Sequence, residues 1–177
     1  KLVNKFGIGK ISDMIEDVKN PQRLMKRGVI FGHREFNEIN NLINQNKDFA
    51  VVTGMMPSGQ MHIGHKMVVD QIKWYQDMGA MLSLPIADLE AYAARDMSFE
   101  KGREIAVNEY LTNWIALGLD LERDNVNVYL QSQNNLLKNL AFKASIKTNF
   151  SQLRAIYGFE NSTNIAHVQA PLFQVAD

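Results

Sequence analysis

Apolar and polar positions along the chain change period several times, and each change marks an element. Val51-Val52-Thr53 is a short β-branched run that enters the turn cluster Gly54-Met55-Met56-Pro57-Ser58-Gly59. From His62 onward Ile63, Met67, Val68, Ile72 and Met78 recur at helical spacing. This order predicts a strand over residues 49–53, a tight loop, and a helix over about 62–78 stopped by Gly79. Met81-Leu82-Ser83-Leu84-Pro85-Ile86-Ala87-Asp88 reads as a second strand, apolar as one covered on both faces should be. Pro85 belongs near its end, because proline donates nothing to a ladder and counts against a central, fully paired strand. Ser98 predicts the cap of a long helix with a buried stripe of Val107, Tyr110, Leu111, Trp114 and Ile115, closed near Gly118. Residues 126–130 make a third strand.

Strand, helix, strand, helix, strand implies right-handed crossovers and an α/β fold with a parallel, doubly wound sheet. A ligand then belongs at the carboxyl ends of the strands, where residues 54–59, 88–92 and Gln131-Ser132 fall. Ahead of the sheet, Ser12-Asp13-Met14-Ile15-Glu16-Asp17-Val18 predicts a helix opened by Ser12 and ended by Asn20-Pro21. Leu24 and Met25 suit a short helix before Gly28, and residues 28–33 an apolar hairpin or edge strand with a solvated basic end at His33-Arg34. Residues 38–46 read as a helix with Ile39, Leu42 and Ile43 inward. Residues 134–157 look helical, with Leu136, Leu137, Leu140 and Phe142 as an apolar face and Lys138, Lys143, Lys147 and Arg154 on a solvated surface.

The chain has 177 residues, 46% of them hydrophobic, enough for one domain with a real core. A formal net charge of +0 provides no overall field toward nucleic acid, so any RNA contact must be local. Zero cysteines exclude disulfides and thiolate chemistry. No apolar run approaches a membrane span, and Lys1-Leu2-Val3-Asn4-Lys5 lacks a signal-peptide core, so no membrane association and a cytoplasmic location are expected. The chain begins without Met and stops after Asp177 in mid-pattern, as expected of a piece of a longer protein.

A glycine-containing loop between a strand and a helix start suits a phosphate. Gly54 and Gly59 have Walker spacing, but Gln60 and Met61 stand where Lys and Ser or Thr are required, and G-x-G-x-x-G is absent. The helix instead opens on His62-Ile63-Gly64-His65. Histidines at i and i+3 share a helix face and can each donate to a phosphate oxygen, while Gly64 leaves room for a flat ring. A lone histidine would be read as a cap or a half-buried imidazole. Two histidines, two glycines and a proline in one motif favour a ligand. A metal site is disfavoured, since there is no Cys and no nearby carboxylate has ligand spacing. Asp88 and Glu90 put two carboxylates at the pocket mouth; alone they would be solvated acids at a helix start, but beside a phosphate-binding loop one of them can face a donor group of a substrate.

The stretch Pro57-Ser58-Gly59-x-Met61-His62-Ile63-Gly64-His65 resembles the HIGH signature of class I aminoacyl-tRNA synthetases, in the form found in tryptophanyl and tyrosyl enzymes. Phe6-Gly7-x-x-Lys10-Ile11 and residues 27–36 resemble the N-terminal extension of archaeal and eukaryotic tryptophanyl-tRNA synthetases, and residues 151–159 a segment of their dimer-forming insertion. The resemblance implies a Rossmann-like sheet with residues 1–47 as N-terminal extension, 48–132 as the first half of the catalytic domain, and 133–177 as a helical insertion returning toward the site. It implies activation of L-tryptophan with ATP, accompanied by Mg²⁺, transfer to tRNA(Trp), and a homodimer. His62 and His65 are then the catalytic donors to the triphosphate. Thr53, Gly54, Met55, Pro57, Ser58 and Gly59 line it, and Gly64 faces adenine or ribose. Glu90 falls at the family's acidic amino-acid position and Gln169 at its α-amino-binding glutamine, while Gln174 and Asp177 match places where tyrosyl relatives hold their amino acid. Val52 and Pro85 depart from the pattern, replacing a tyrosine and a glutamine that contact the amino acid in eukaryotic tryptophanyl enzymes. No KMSKS-type loop or anticodon-binding domain is recognisable up to Asp177. Ala87-Asp88-Leu89-x-Ala91-Tyr92 supports a tyrosyl enzyme as the alternative. A non-catalytic nucleotide- or RNA-binding paralogue is opposed by the presence of both histidines and Glu90.

Overall fold

The computed structural model describes residues 7–177; Phe6 of the extension motif and the Lys1-Leu2-Val3-Asn4-Lys5 start lie outside the described residues. The chain divides into two compact units, Lys1–Val51 with Asp70–Met81, and Val52–Val69 with Leu82–Asp177.

In the first unit β1 (Gly9–Lys10) and β2 (Gly32–His33) form a minimal antiparallel hairpin, Gly9 opposite His33 and Lys10 opposite Gly32. The longer strand expected over 28–33 is cut short. Val29 and Ile30 N–H instead donate to Leu24 O at 2.9 and 3.2 Å, closing the end of α1 (Arg23–Lys26). The helix expected from Ser12 is two 3₁₀ turns, Ile11–Asp13 and Ile15–Asp17, separated by Met14 at φ −133°, ψ 7°. Ser12 sits inside the first turn and donates its hydroxyl to Asp13 at 3.0 Å, so it cannot cap one.

Helix α2 (Phe36–Asn44) starts two residues earlier than expected. Its start is held because Phe36 N–H donates to His33 Nδ1 at 3.2 Å. It buries Phe36, Asn40 and Ile43, with Ile39 and Leu42 half-buried. Buried Asn40 donates through Nδ2 to Asp17 O at 3.2 Å, while its Oδ1 has no hydrogen-bond partner among the described residues. In helix α3 (Ile63–Asp77), Trp74 packs on Phe36 at 6.1 Å and donates Nε1–H to Asn20 O at 2.7 Å. Burial along α3 falls on Val69, Ile72, Trp74 and Gln76, whereas Ile63 is exposed.

The second unit carries the carboxyl ends of a three-stranded sheet in the order β3 (Ala50–Val52), β4 (Met81–Ile86), β5 (Val126–Leu130). β4 and β5 run parallel from Leu82 opposite Val126 to Ile86 opposite Leu130. Leu82, Leu84 and Ile86 are buried, as the continuous apolar pattern requires. β4 is therefore the central strand although it contains Pro85. The chain tolerates it at the penultimate position by using only its carbonyl. Thr53 N–H donates to Ser83 O, Met55 N–H to Pro85 O, and Ala87 N–H to Met55 O, at 3.2, 3.2 and 3.0 Å. In that parallel alternation the bond from residue 85 to Thr53 O is the one proline cannot supply.

Beyond β4 come α4 (Asp88–Arg95) and one helical rod made of α5 (Phe99–Ile105), a π-helical segment (Ala106–Leu111) and α6 (Thr112–Ala116). Ser98 Oγ caps α5 by accepting from Lys101 N–H at 3.2 Å, as expected. The buried stripe contains Tyr110 and Trp114 as expected, with Leu111 half-buried, and differs in its other members. It is Gly102, Ala106, Tyr110 and Trp114, while Val107 and Ile115 are 54% and 60% exposed. An α-helix advances about 40° beyond a full turn every four residues, so a four-residue stripe would spiral off its face. The wider π turn takes up that excess. The rod ends at Gly118, φ +90°, with Leu119 N–H bonded to Trp114 O at 3.0 Å.

Helices α7 (Asn135–Ser145), α8 (Phe150–Tyr157) and α9 (Ile165–Ala176) complete the unit, α9 packing on α7 and α4. Asn134, Asn149 and Asn164 cap them through their side chains. α7 turns Leu137 and Ala141 inward and leaves Leu136 and Phe142 exposed, so only part of the expected face is core. Lys138 is not simply a solvated cation, for its Nζ donates to Ser132 O at 2.7 Å.

Candidate functional site

The loop after β3 is shaped by β4. A Cβ on Gly54 would lie 2.5 Å from Pro85 O and 2.9 Å from Pro85 Cγ, so glycine is required there. Met55 and Pro57 are buried, Thr53 half-buried, Ser58 exposed.

At the head of α3 the two histidines cap the helix and each other's segment. Gly64 N–H donates to His62 Nδ1 at 3.1 Å, and His62 N–H donates to His65 Nδ1 at 3.2 Å. This is a relative of the capping box with imidazoles in place of Ser and Glu, the N-cap ring accepting from the second helical amide and the N3 ring from the N-cap amide. The space beside Gly64 is taken by the His62 ring, whose Cε1 would be 3.0 Å from an added Cβ. The rings lie 4.0 Å apart. A nitrogen that accepts carries no hydrogen, so each neutral ring holds its proton on Nε2. Two N–H donors therefore stand at the positive end of a helix dipole. His65 is held below its ordinary pKa by burial, and secondarily by His62.

The second cluster lies where α4 leaves the sheet. Asp88, expected at the pocket mouth, is instead 1% exposed. It accepts from Ser132 N–H at 2.9 Å and from the Ser132 hydroxyl, tying the ends of β4 and β5 together. Glu90, two residues further along α4, is half-buried and accepts from Gln174 Nε2 at 3.2 Å. These two share a pocket of about 240 Å³ with Tyr157, Phe159, His167 and Pro171. Gln169 is on another face of α9 and lines a separate recess with Lys138, Phe142 and Phe173. Val52 is exposed at the end of β3. Asp177 receives Tyr129 OH at 3.0 Å and Gln131 Nε2 at 2.7 Å, and burial raises its carboxyl pKa against the pull of those donors.

Two features escaped the sequence pattern. Tyr110 lies under His65, edge to face at 5.5 Å, and Phe159 stacks on Tyr157 and meets His167 edge-on. Each depends on segments distant in sequence meeting, His65 with the 99–116 rod and α8 with α9, which no local spacing records.

The family model described as tRNA synthetases class I (W and Y) matches residues 44–175. The chain belongs to this family. It is 54% identical to the tryptophan–tRNA ligase of Methanocaldococcus jannaschii over all 177 residues, which cover 47% of that protein. It is 44% identical to the ligase of Methanosarcina acetivorans, again over the whole chain and 40% of the relative. The tryptophanyl-tRNA synthetase structure from Aeropyrum pernix K1 superposes with a TM-score of 0.89 at 38% identity, covering 99% of this chain and 48% of that one. The Plasmodium falciparum tryptophanyl-tRNA synthetase gives 0.85 at 26% identity, over 99% and 50%. The chain thus spans about half the length of the relatives it matches. The class I synthetase α/β fold, with its parallel sheet, is the one expected from the HIGH-like motif.

Proposed function

We propose that this chain carries the ATP- and amino-acid-binding part of a tryptophan–tRNA ligase. The observation that carries the reading is the reciprocal histidine cap, which leaves two Nε2–H donors beside a glycine-requiring loop at the carboxyl end of a parallel sheet. In this reading the tryptophan carboxylate attacks the α-phosphorus of ATP, pyrophosphate departs, and the aminoacyl group passes from the adenylate to the terminal ribose of tRNA(Trp). His62 and His65 donate to phosphate oxygens as negative charge grows there. Thr53, Gly54, Met55, Pro57, Ser58 and Gly59 line the nucleotide, and Gly64 lets the His62 ring close over the helix start. The triphosphate would supply the oxygens for a Mg²⁺ ion, which would offset phosphate charge as pyrophosphate leaves. Among the described residues no group of three or more His, Cys, Asp or Glu could hold a metal by itself.

Glu90 and Gln174 take the amino acid. Their pocket of about 240 Å³ suits a ligand smaller than a drug-sized molecule, and its aromatic walls suit a flat side chain. Val52 and Gln169 are assigned to the same substrate on motif resemblance alone. Leu136, Phe142, Ile146 and Ile156 leave exposed apolar surface on α7, α8 and the turn between them, which supports a homodimer through this segment. No helix among the described residues is long and apolar enough to cross a membrane, and a cytoplasmic site of action accords with charging of tRNA.

Pyrophosphate exchange by the full-length protein tests the proposal. Exchange dependent on tryptophan and not tyrosine is expected. Exchange with tyrosine alone, or ATP binding without exchange under either amino acid, overturns it.

A further inference from the structure

The rod 99–116 runs beside the loop at Pro57 and meets the head of α3 at His65. A Cβ on Gly102 would be in ordinary contact with Pro57 Cγ, at 4.0 Å, and Tyr110 meets the His65 ring edge-on at 5.5 Å and 65°. Both stripe residues are buried, Tyr110 to 1% exposure, and the π turn at Ala106–Leu111 lies between them and holds them on one face. Two side chains add bonds to the carbonyls of that turn, where Val107 O already accepts from Thr112 N–H. Thr112 Oγ1 donates to Val107 O at 2.8 Å, and Asn113 Nδ2 donates to Glu109 O. A π turn costs regular helix hydrogen bonding and recurs where a side chain must be re-aimed at a functional site. Here the residue it re-aims is Tyr110.

The Tyr110 hydroxyl is buried with no hydrogen-bond partner among the described residues. A polar contact therefore does not explain its position; the ring does. His65 caps the helix start on one side and is confined below by that ring, so the direction of Nε2–H is set by one capping bond and one aromatic contact. We infer that Tyr110, held in line by the π-helical turn, is a positioning residue for His65. The inference rests on the proposed ATP site, and it makes the floor of that site a helix remote from it in sequence.

The test uses the full-length protein with Tyr110→Leu, which removes the ring edge, and Tyr110→Phe, which removes only the hydroxyl. His65 is followed by NMR titration of its Cε1–H without substrate, and ATP KM and kcat by pyrophosphate exchange. Tyr110→Leu is expected to move the His65 titration and to raise ATP KM or lower kcat by up to about a hundredfold, as misplacing a reacting group by an ångström does. Tyr110→Phe is expected to match the wild type in both. Should Tyr110→Leu not fold, Tyr110→Met is read in the same way. An unchanged His65 titration in a folded Leu or Met variant overturns the inference. Because the titration needs no substrate, absence of exchange in the wild type would sink the ligase reading and leave this result interpretable.

Discussion

Replacing His62 by aspartate separates two jobs the imidazole performs. As the N-cap of α3 it accepts from Gly64 N–H through Nδ1, and as a proposed phosphate ligand it donates through Nε2. Alanine loses both, which for the cap amounts to about 1 kcal/mol. In a chain of this size that lowers Tm by roughly 2–4 °C. Aspartate restores the acceptor, adds a charge favoured at a helix start, and abolishes the donor. His62→Asp should therefore melt at or above the wild-type temperature, and His62→Ala below it. Both should lose about two to three orders of magnitude in exchange rate, the usual effect of removing one such donor. Aspartate should be the worse of the two, since it repels the triphosphate. Differential scanning fluorimetry and pyrophosphate exchange on the same preparations suffice. If aspartate destabilises as much as alanine, the ring does not cap the helix, and nothing then fixes its proton on Nε2.

Three further outcomes rest on the same geometry. His65 is held below its ordinary value of 6.5, so as pH falls past that value the unfolded chain takes up the proton first. Stability is thus full above 6.5 and declines on acidification until the folded-state pKa is passed. Urea midpoints at neutral and mildly acidic pH should show this decline, and His65→Ala should flatten it. Gly54→Ala drives a methyl group into Pro85 and should cost roughly 1–3 kcal/mol, as overpacking does. Adding Pro85→Ala should recover only part in chemical denaturation, because the nearer atom is the carbonyl oxygen. Asp88→Ala strands the Ser132 amide and should cost roughly 1–3 kcal/mol by the same assay, with Asp88→Asn intermediate.

Local period and turn chemistry made part of the structure legible in the sequence. Strand β5 runs from Val126 to Leu130, as its alternating apolar run indicates, and the Ser98 cap lies at the predicted place. Helix α3 differs by one residue at each end. The misplaced features share a cause. α-Helical spacing puts Val107 and Ile115 on the stripe of the 99–116 rod, and one wide turn moves both to solvent. Asp88 reads as a solvated loop acid until the end of β5 brings Ser132 to it, 44 residues away. Gln169 and Gln174 lie on one short stretch, yet their spacing turns them to different faces of α9. Tertiary pairing and helix phase decided these positions, and neither is written in a window of a dozen residues.

The proline in the middle strand has a consequence beyond the sheet. Where Thr53 O would meet an amide hydrogen it meets a pyrrolidine ring, so the ladder has no claim on that oxygen. Beyond Thr53 the loop is therefore tied to β4 through Met55, whose N–H donates to Pro85 O and whose carbonyl accepts from Ala87 N–H. A missing stitch in the weave thus falls at the point where the chain turns from scaffold to loop.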